Sequence, residues 1–205
     1  MKIALLGATG RVGSVVLKNA LQNNDSIKAL TRDPVKLEDS PNLLKIKGTA
    51  LDHDQLAKTI QHCDAVISCL GTDQNDVLSS SMPAILNSMR FAGVTRIITI
   101  GTAGILQSRQ EPSLYRFQSI ESKRRMTRAA EDHLKTYIML RESEMDYTVV
   151  CPTYLPLGER VGNFRTEENI LPEDGQSISV FDTGDFAYQQ LFSDQFIRTR
   201  VGICY

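Results

Sequence analysis

Residues 2–13 read KIALLGATGRVG. The apolar run Lys2–Leu6 reads as a buried strand. Glycines follow at positions 7, 10 and 13. Over Arg11–Gln22, Val12, Val15, Val16 and Ala20 then recur at helical spacing. Each glycine has a job in a strand-to-helix turn. Gly7 lets the chain leave the strand sharply, Gly10 has no side chain to block an approaching group, and Gly13 lets the helix pack against the sheet. The helix start offers free N–H groups and the positive end of its dipole, which suit phosphate oxygens. Glycines alone would signal no more than a tight turn. Between a strand and an amphipathic helix, this spacing is the fingerprint of a dinucleotide pyrophosphate site.

Working outward, strands and helices alternate. Strands are expected at Ser26–Thr31, Leu43–Lys47, 65–70, 95–100, 147–151, 178–180 and 200–204. Helices are expected at 54–62 with Asp52 as N-cap, at 80–91 ended by Gly93, at 121–143 and at 184–191. Residues 107–118 read as a loop or small helix near the site. Residues 152–174 are rich in Pro, Gly and charge and read as irregular, within a substrate-side segment 152–182. The prediction is one α/β domain over residues 1–205, a Rossmann-type doubly wound parallel sheet with helices on both faces. Ligands of such sheets bind at the carboxyl ends of the strands, near the switch point.

The chain has 205 residues, 41% of them hydrophobic and 23% charged, with a formal net charge of −1. That balance argues against broad binding of nucleic acid or of an anionic membrane. The dense basic run is Lys123-Arg124-Arg125 with Arg128, read as a solvated helix face. The four cysteines are scattered without a C-x-x-C pair, and His53, His62 and His133 make no ligand spacing with them, so no metal site is expected. Cys69 and Cys151 lie in apolar runs read as strands, which predicts buried free thiols and a reducing, cytoplasmic setting. A strand beginning at Lys2 leaves no room for a signal peptide, and no apolar run approaches the roughly 20 residues of a membrane span.

The end of the second strand reads the cofactor's adenosine ribose. An acidic residue there suits the 2′-hydroxyl of NAD, and an arginine suits the 2′-phosphate of NADP. Arg32 stands at that position, followed by Asp33, and Arg11 offers a second positive charge. NADP, as NADPH, is favoured over NAD.

Five stretches carry a family resemblance. They are Gly7-Ala8-Thr9-Gly10, Thr31-Arg32-Asp33, Leu70-Gly71-Thr72 with Asn75-Asp76, Asp132-His133 ahead of Leu140-Arg141-Glu142-Ser143, and a C-terminal helix opening near Asp185. Over nearly its full length the chain resembles the atypical short-chain dehydrogenase/reductases of the NAD(P)H-binding, NmrA-like set. It is most similar to the flavin reductase/biliverdin reductase B type. The resemblance implies a one-domain NADPH-dependent reductase. It would place the pyrophosphate on Gly7, Thr9, Gly10, Arg11 and Val12, and the adenosine phosphate on Arg32. Thr49 and Ala50 would lie by the adenine, and Leu70, Gly71 and Thr72 along the ribose. Thr102, Tyr154 and Leu155 would flank the nicotinamide, and His133 would stand at a cofactor-facing helix position.

Three departures bear on mechanism. Thr49 follows Gly48 where relatives carry an aspartate. The stretch matching Tyr-x-x-x-Lys is Ala129-Ala130-Glu131-Asp132-His133, without the tyrosine. Tyr154 stands where the flavin reductase type has a histidine. Thr102 and Tyr154 are the candidate catalytic residues, as a hydrogen-bond donor and as an acid or stacking wall. Tyr137 and Arg141 repeat a Tyr-x-x-x-charge spacing too far along the helix, so packing is expected of them. Losing the tyrosine argues against simple ketones. It is tolerable for a flavin, quinone or similar flat acceptor, which delocalises the charge it receives. The expected partner is therefore a small-molecule acceptor, met by a monomer or small homo-oligomer. Two other classes stay open: a non-catalytic redox sensor whose nicotinamide face is filled by 107–118, and, least favoured, a nucleotide-sugar epimerase or dehydratase.

Overall fold

The computed structural model describes residues 1–72, 76–122 and 126–205. Its centre is an eight-stranded sheet in the order β3-β2-β1-β4-β5-β6-β8-β7. The strands are β1 (Lys2–Leu6), β2 (Ser26–Thr31), β3 (Leu43–Lys47), β4 (Ala65–Ser68), β5 (Arg96–Ile100), β6 (Asp146–Pro152), β7 (Arg165–Glu168) and β8 (Thr199–Cys204). Every pairing is parallel except β7 on β8. Ile3 to Leu6 and Ala65 to Ser68 are buried without interruption, because the central strands are covered on both faces.

The helices are α1 (Arg11–Gln22), α2 (His53–Ile60), α3 (Val77–Ala92), α4 (Arg128–Glu142) and α5 (Val180–Gln189). On one side of the sheet, Val12, Val15 and Val16 of α1 and Phe186 and Ala187 of α5 share a core with Ile3, Leu5, Ile67 and Ile98. On the other side, Leu56 of α2, Ile85 of α3 and Leu140 of α4 pack with Leu6, Val66 and Ile97. Gly184 lets α5 lie directly on α1, since a Cβ there would sit 2.6 Å from Val15. The chain steps outward from β1 to β3 and returns to β4 on the other side of β1. That reversal opens a crevice at the carboxyl ends of β1 and β4.

The predicted doubly wound fold is the observed one, with five local differences. Residues 178–180 are not a strand. Ser179 caps α5, its hydroxyl accepting from the Asp182 N–H at 3.0 Å, so that helix begins at Val180 rather than 184. The helix expected from 121 begins at Arg128, because Glu121 turns back to accept from the Ser108 hydroxyl and the Arg109 and Gln110 amides. β7, inside the segment expected to be irregular, exists through its pairing with β8. α3 begins at Val77, three residues before the expected start at Ser80. Cys69 follows β4 instead of lying in it. Lys123-Arg124-Arg125 and Asn75 lie outside the described residues, whereas Arg128 is exposed and pairs with Asp76 at 3.5 Å.

Candidate functional site

The glycine turn closes on itself. Gly7 has φ +80°, and a Cβ on it would stand 2.5 Å from the Cys69 carbonyl oxygen. The turn after β1 is thus pressed against the end of β4, across the switch point. A Cβ on Gly13 would meet the Gly7 carbonyl oxygen at 2.1 Å, so α1 can start only where a glycine stands. Gly10 is the N-cap of α1 and supplies no capping side chain, and no acidic residue occupies the first turn. The Gly10 N–H closes the turn on the Gly7 carbonyl at 3.0 Å, and the first bond within the helix is from Ser14 N–H to the Gly10 carbonyl, at 2.9 Å. Among the described residues, no carboxylate or hydroxyl caps the amides of Arg11, Val12 and Gly13 that open the helix. An anionic group fits that helix end.

On one side of the turn lies a cleft of about 520 Å³. Gly7, Thr9, Gly10, Arg32, Thr49, Ala50, Leu70 and Gly71 all line it. Lys36, Gly48 and Leu51 join them and were not anticipated. Lys36 could have been noticed four residues after Arg32, past the proline turn. Asp33 does not line the cleft. Its carboxylate accepts from the Val35 amide at 3.3 Å and sits 4.0 Å from the Lys36 ammonium.

On the other side lies a second cleft, of about 600 Å³. It gathers Arg11, Thr102, His133, Tyr154 and Leu155 with Gly101, Pro152 and Thr153. Gly10 lines the first cleft and its neighbour Arg11 the second, so the two meet at the glycine turn. The Arg11 guanidinium donates to the Leu155 carbonyl at 2.8 Å. Thr102 is buried, and its hydroxyl accepts from the Gly104 amide at 3.4 Å. Tyr154 is 73% exposed at the rim. No residue of 107–118 lines this cleft.

Two further expected residues, Val12 and Thr72, line neither cleft. The Val12 side chain is buried in the core with Val15 and Val16, leaving only its backbone amide to face a ligand. Thr72 is half-buried and lines neither cleft. Tyr137 is buried with the Arg141 guanidinium 5.9 Å from its ring centre, a packing arrangement as expected. Burial pushes the Cys69 and Cys151 thiols up to about 12, so neither offers a thiolate near the clefts. Among the described residues no group of three or more His, Cys, Asp or Glu could hold a metal ion, and no helix is long and apolar enough to cross a membrane. A further groove of about 620 Å³ lies between α2 and α3, lined by His53 and Phe91 among others, and shares no residue with the glycine turn.

Two buried carboxylates hold the frame. Asp132 of α4 accepts from the Leu78 and Ser79 amides at 3.1 and 3.0 Å, capping α3 from another helix, one residue before His133. Asp182 of α5 accepts from the Val161 and Gly162 amides, both at 3.0 Å, and from the Tyr205 hydroxyl at 2.6 Å. It pins the chain that follows the second cleft.

A doubly wound sheet with an uncapped helix at its switch point, flanked by two clefts, defines a dinucleotide-binding protein. The chain belongs to the NAD(P)H-binding family, whose model matches residues 7–194. It is 21% identical to the uncharacterized protein YwnB of Bacillus subtilis (strain 168) over 192 residues, covering 91% of this chain and 89% of that one. A structure from Burkholderia pseudomallei, provisionally named an exported protein, is 27% identical with a TM-score of 0.86, each chain covered in full. Another from Streptococcus pneumoniae, provisionally named an NADH-flavin reductase, is 22% identical with a TM-score of 0.83, covering 100% of this chain and 99% of that one.

Proposed function

We propose that this protein is an NADPH-dependent reductase of flat conjugated acceptors such as flavins or quinones, placed within its family beside the NmrA-like flavin reductases. The observation that carries the reading is the pair of clefts meeting at the glycine turn, one with Arg32 and Lys36 and the other with Thr102 and Tyr154. The amides opening α1 and the Arg11 guanidinium take the pyrophosphate between them. Arg32 and Lys36 take the 2′-phosphate, and Ala50 and Leu70 cover the adenosine. Asp33 supports this choice of cofactor, because its carboxylate accepts from the Val35 amide of its own turn and does not line the cleft.

The bound dihydronicotinamide supplies the hydride. Thr102 and His133 line the cleft where its ring would lie, and Leu155 and Pro156 wall it. Tyr154, exposed at the mouth, stacks on the incoming acceptor. The proton that completes the reduction comes from water at that open mouth, which suits an acceptor that delocalises charge. The absence of 107–118 from the cleft lining supports a catalyst over a sensor with a filled face. Cytoplasmic placement and a small-molecule partner belong to this same proposal.

The test is NADPH oxidation with a panel of acceptors. Turnover with flavin mononucleotide or a quinone, and none with simple ketones, is expected. Turnover of ketones alone would overturn the reading.

A further inference from the structure

The groove of about 620 Å³ between α2 and α3 shares no residue with either cleft. Its apolar lining is mostly small, with Ala57 from α2 and Ala84 and Ala92 from α3. Phe91 lines it too and is 95% exposed, the most exposed large apolar side chain among the described residues. A single exposed phenylalanine is ordinary on a protein surface. This one stands beside a hollow lined by alanines, so one patch carries both a knob and a hole. The charges of the patch are likewise matched to each other. Asp54 lies in the first turn of α2 and Lys58 in the last, four residues apart and on one face. Both are exposed, and among the described residues neither side chain is held in an ion pair or hydrogen bond. Each suits its own end of the α2 dipole, which accounts for their order along the helix but not for the hollow beside them.

We propose that this groove is a homodimer interface, filled by a second copy of this chain across a two-fold axis. A two-fold interface uses the same patch on both copies. Such an axis runs α2 and α3 antiparallel to their counterparts, and the Phe91 ring of each copy enters the alanine-lined hollow of the other. It also sets Asp54 of each copy against Lys58 of the other, giving two ion pairs to groups that have none in the single chain. An unrelated partner would need its own knob, its own hole and the reversed charge order, whereas a second copy brings all three. Phe91 lies two residues before the C-cap Gly93, where α3 leads into the amino end of β5. The knob is therefore at the opposite edge of the sheet from the clefts, and the dimer leaves both open.

The test is sedimentation of the unaltered protein and three variants over a range of concentrations. The unaltered protein should dimerise with a Kd of about 10 μM or tighter. Phe91→Lys should weaken the dimer at least about tenfold, and its exposed position should leave the melting temperature of the dilute protein unchanged. Asp54→Lys sets lysine against lysine, and Lys58→Asp sets aspartate against aspartate, so each alone should also weaken the dimer at least about tenfold. An equimolar mixture of these two variants should recover dimerisation, because opposite charges then meet at both contacts. A monomeric unaltered protein at about 100 μM would leave the groove to a different partner and overturn the proposal. A dimer indifferent to Phe91→Lys, or a mixture of the charge variants no more associated than either alone, would overturn it as well.

Discussion

The guanidinium of Arg11 donates to the backbone carbonyl of Leu155 at 2.8 Å, across 144 residues of sequence. It ties the first turn of α1 to the loop that follows β6, and so ties the glycine turn to the wall of the second cleft. Arg11 is exposed, so it contributes little to folding. Arg11→Ala should leave the melting temperature nearly unchanged and weaken NADPH binding by roughly ten- to a hundredfold, the scale of one or two charge-assisted hydrogen bonds. Calorimetric titration beside thermal melting checks both halves. A large fall in melting temperature with unchanged affinity would assign Arg11 to the fold alone.

The glycine turn makes a contrasting prediction about stability. A Cβ on Gly13 would stand 2.1 Å from a backbone oxygen, which cannot swing aside. Gly13→Ala should cost about 3 kcal/mol or more. Gly93 is the C-cap of α3 with φ +70°, and a Cβ on it would meet no atom within 4 Å. Gly93→Ala should cost only the left-handed backbone strain, about 1 kcal/mol. Denaturant unfolding of the two variants tests the ranking. Equal losses would mean that the close approach of α1 to the turn is not what Gly13 provides.

Asp182 makes a prediction about pH. Burial works to raise its carboxyl, but the Tyr205 hydroxyl, the Val161 and Gly162 amides and the Ser179 hydroxyl hold it below the ordinary carboxylate range. A folded-state value below the unfolded one stabilises the protein above the unfolded pKa, near 3.9. That stability is lost as pH falls through the folded value. Asp182→Asn turns an amide donor toward two backbone donors and should cost about 2 kcal/mol at neutral pH. The gap between variant and unaltered protein should stay constant down to about pH 4 and narrow below it. Melting curves across that range decide, and a gap that widened on acidification would contradict the account.

The first half of the fold was readable because its signals are local. β1, α1, β2 and β3 carry dense apolar patterns bounded by Gly, Asp and Pro, and their observed ends are the expected ones. The elements that differ from expectation depend on distant partners. β7 is Arg165-Thr166-Glu167-Glu168, with Thr166 its one strand-favouring residue, and it forms because β8 offers an edge. α3 starts early because Asp132, from α4, accepts from its first-turn amides. Ser179 with Asp182 did carry a local signal, a capping spacing. The apolar neighbours Ile178 and Val180 mask it by reading as a strand. At the site, Arg32 is legible as a strand-end charge and Lys36 only through its spacing from Arg32, because the folded turn is what brings it to the same cleft.

Arg32 and Lys36 should act together on cofactor choice. Arg32→Ala should weaken NADPH by at least about tenfold and leave NADH nearly unchanged, because only NADPH carries the 2′-phosphate. Lys36→Ala should act in the same direction with a smaller effect, as a point charge without a planar fork. Kd values for both cofactors and both variants test this. Equal losses for NADPH and NADH would show that the two cations serve the adenosine generally and not its phosphate.

The most direct measurement of the central claim is a titration of the unaltered protein with NADPH and with NADH at one salt concentration, read by calorimetry. Saturable binding of NADPH at one site per chain, at least about tenfold tighter than NADH, is the expected result. Binding of neither dinucleotide would contradict the cofactor site itself, and tighter binding of NADH would contradict the role assigned to Arg32.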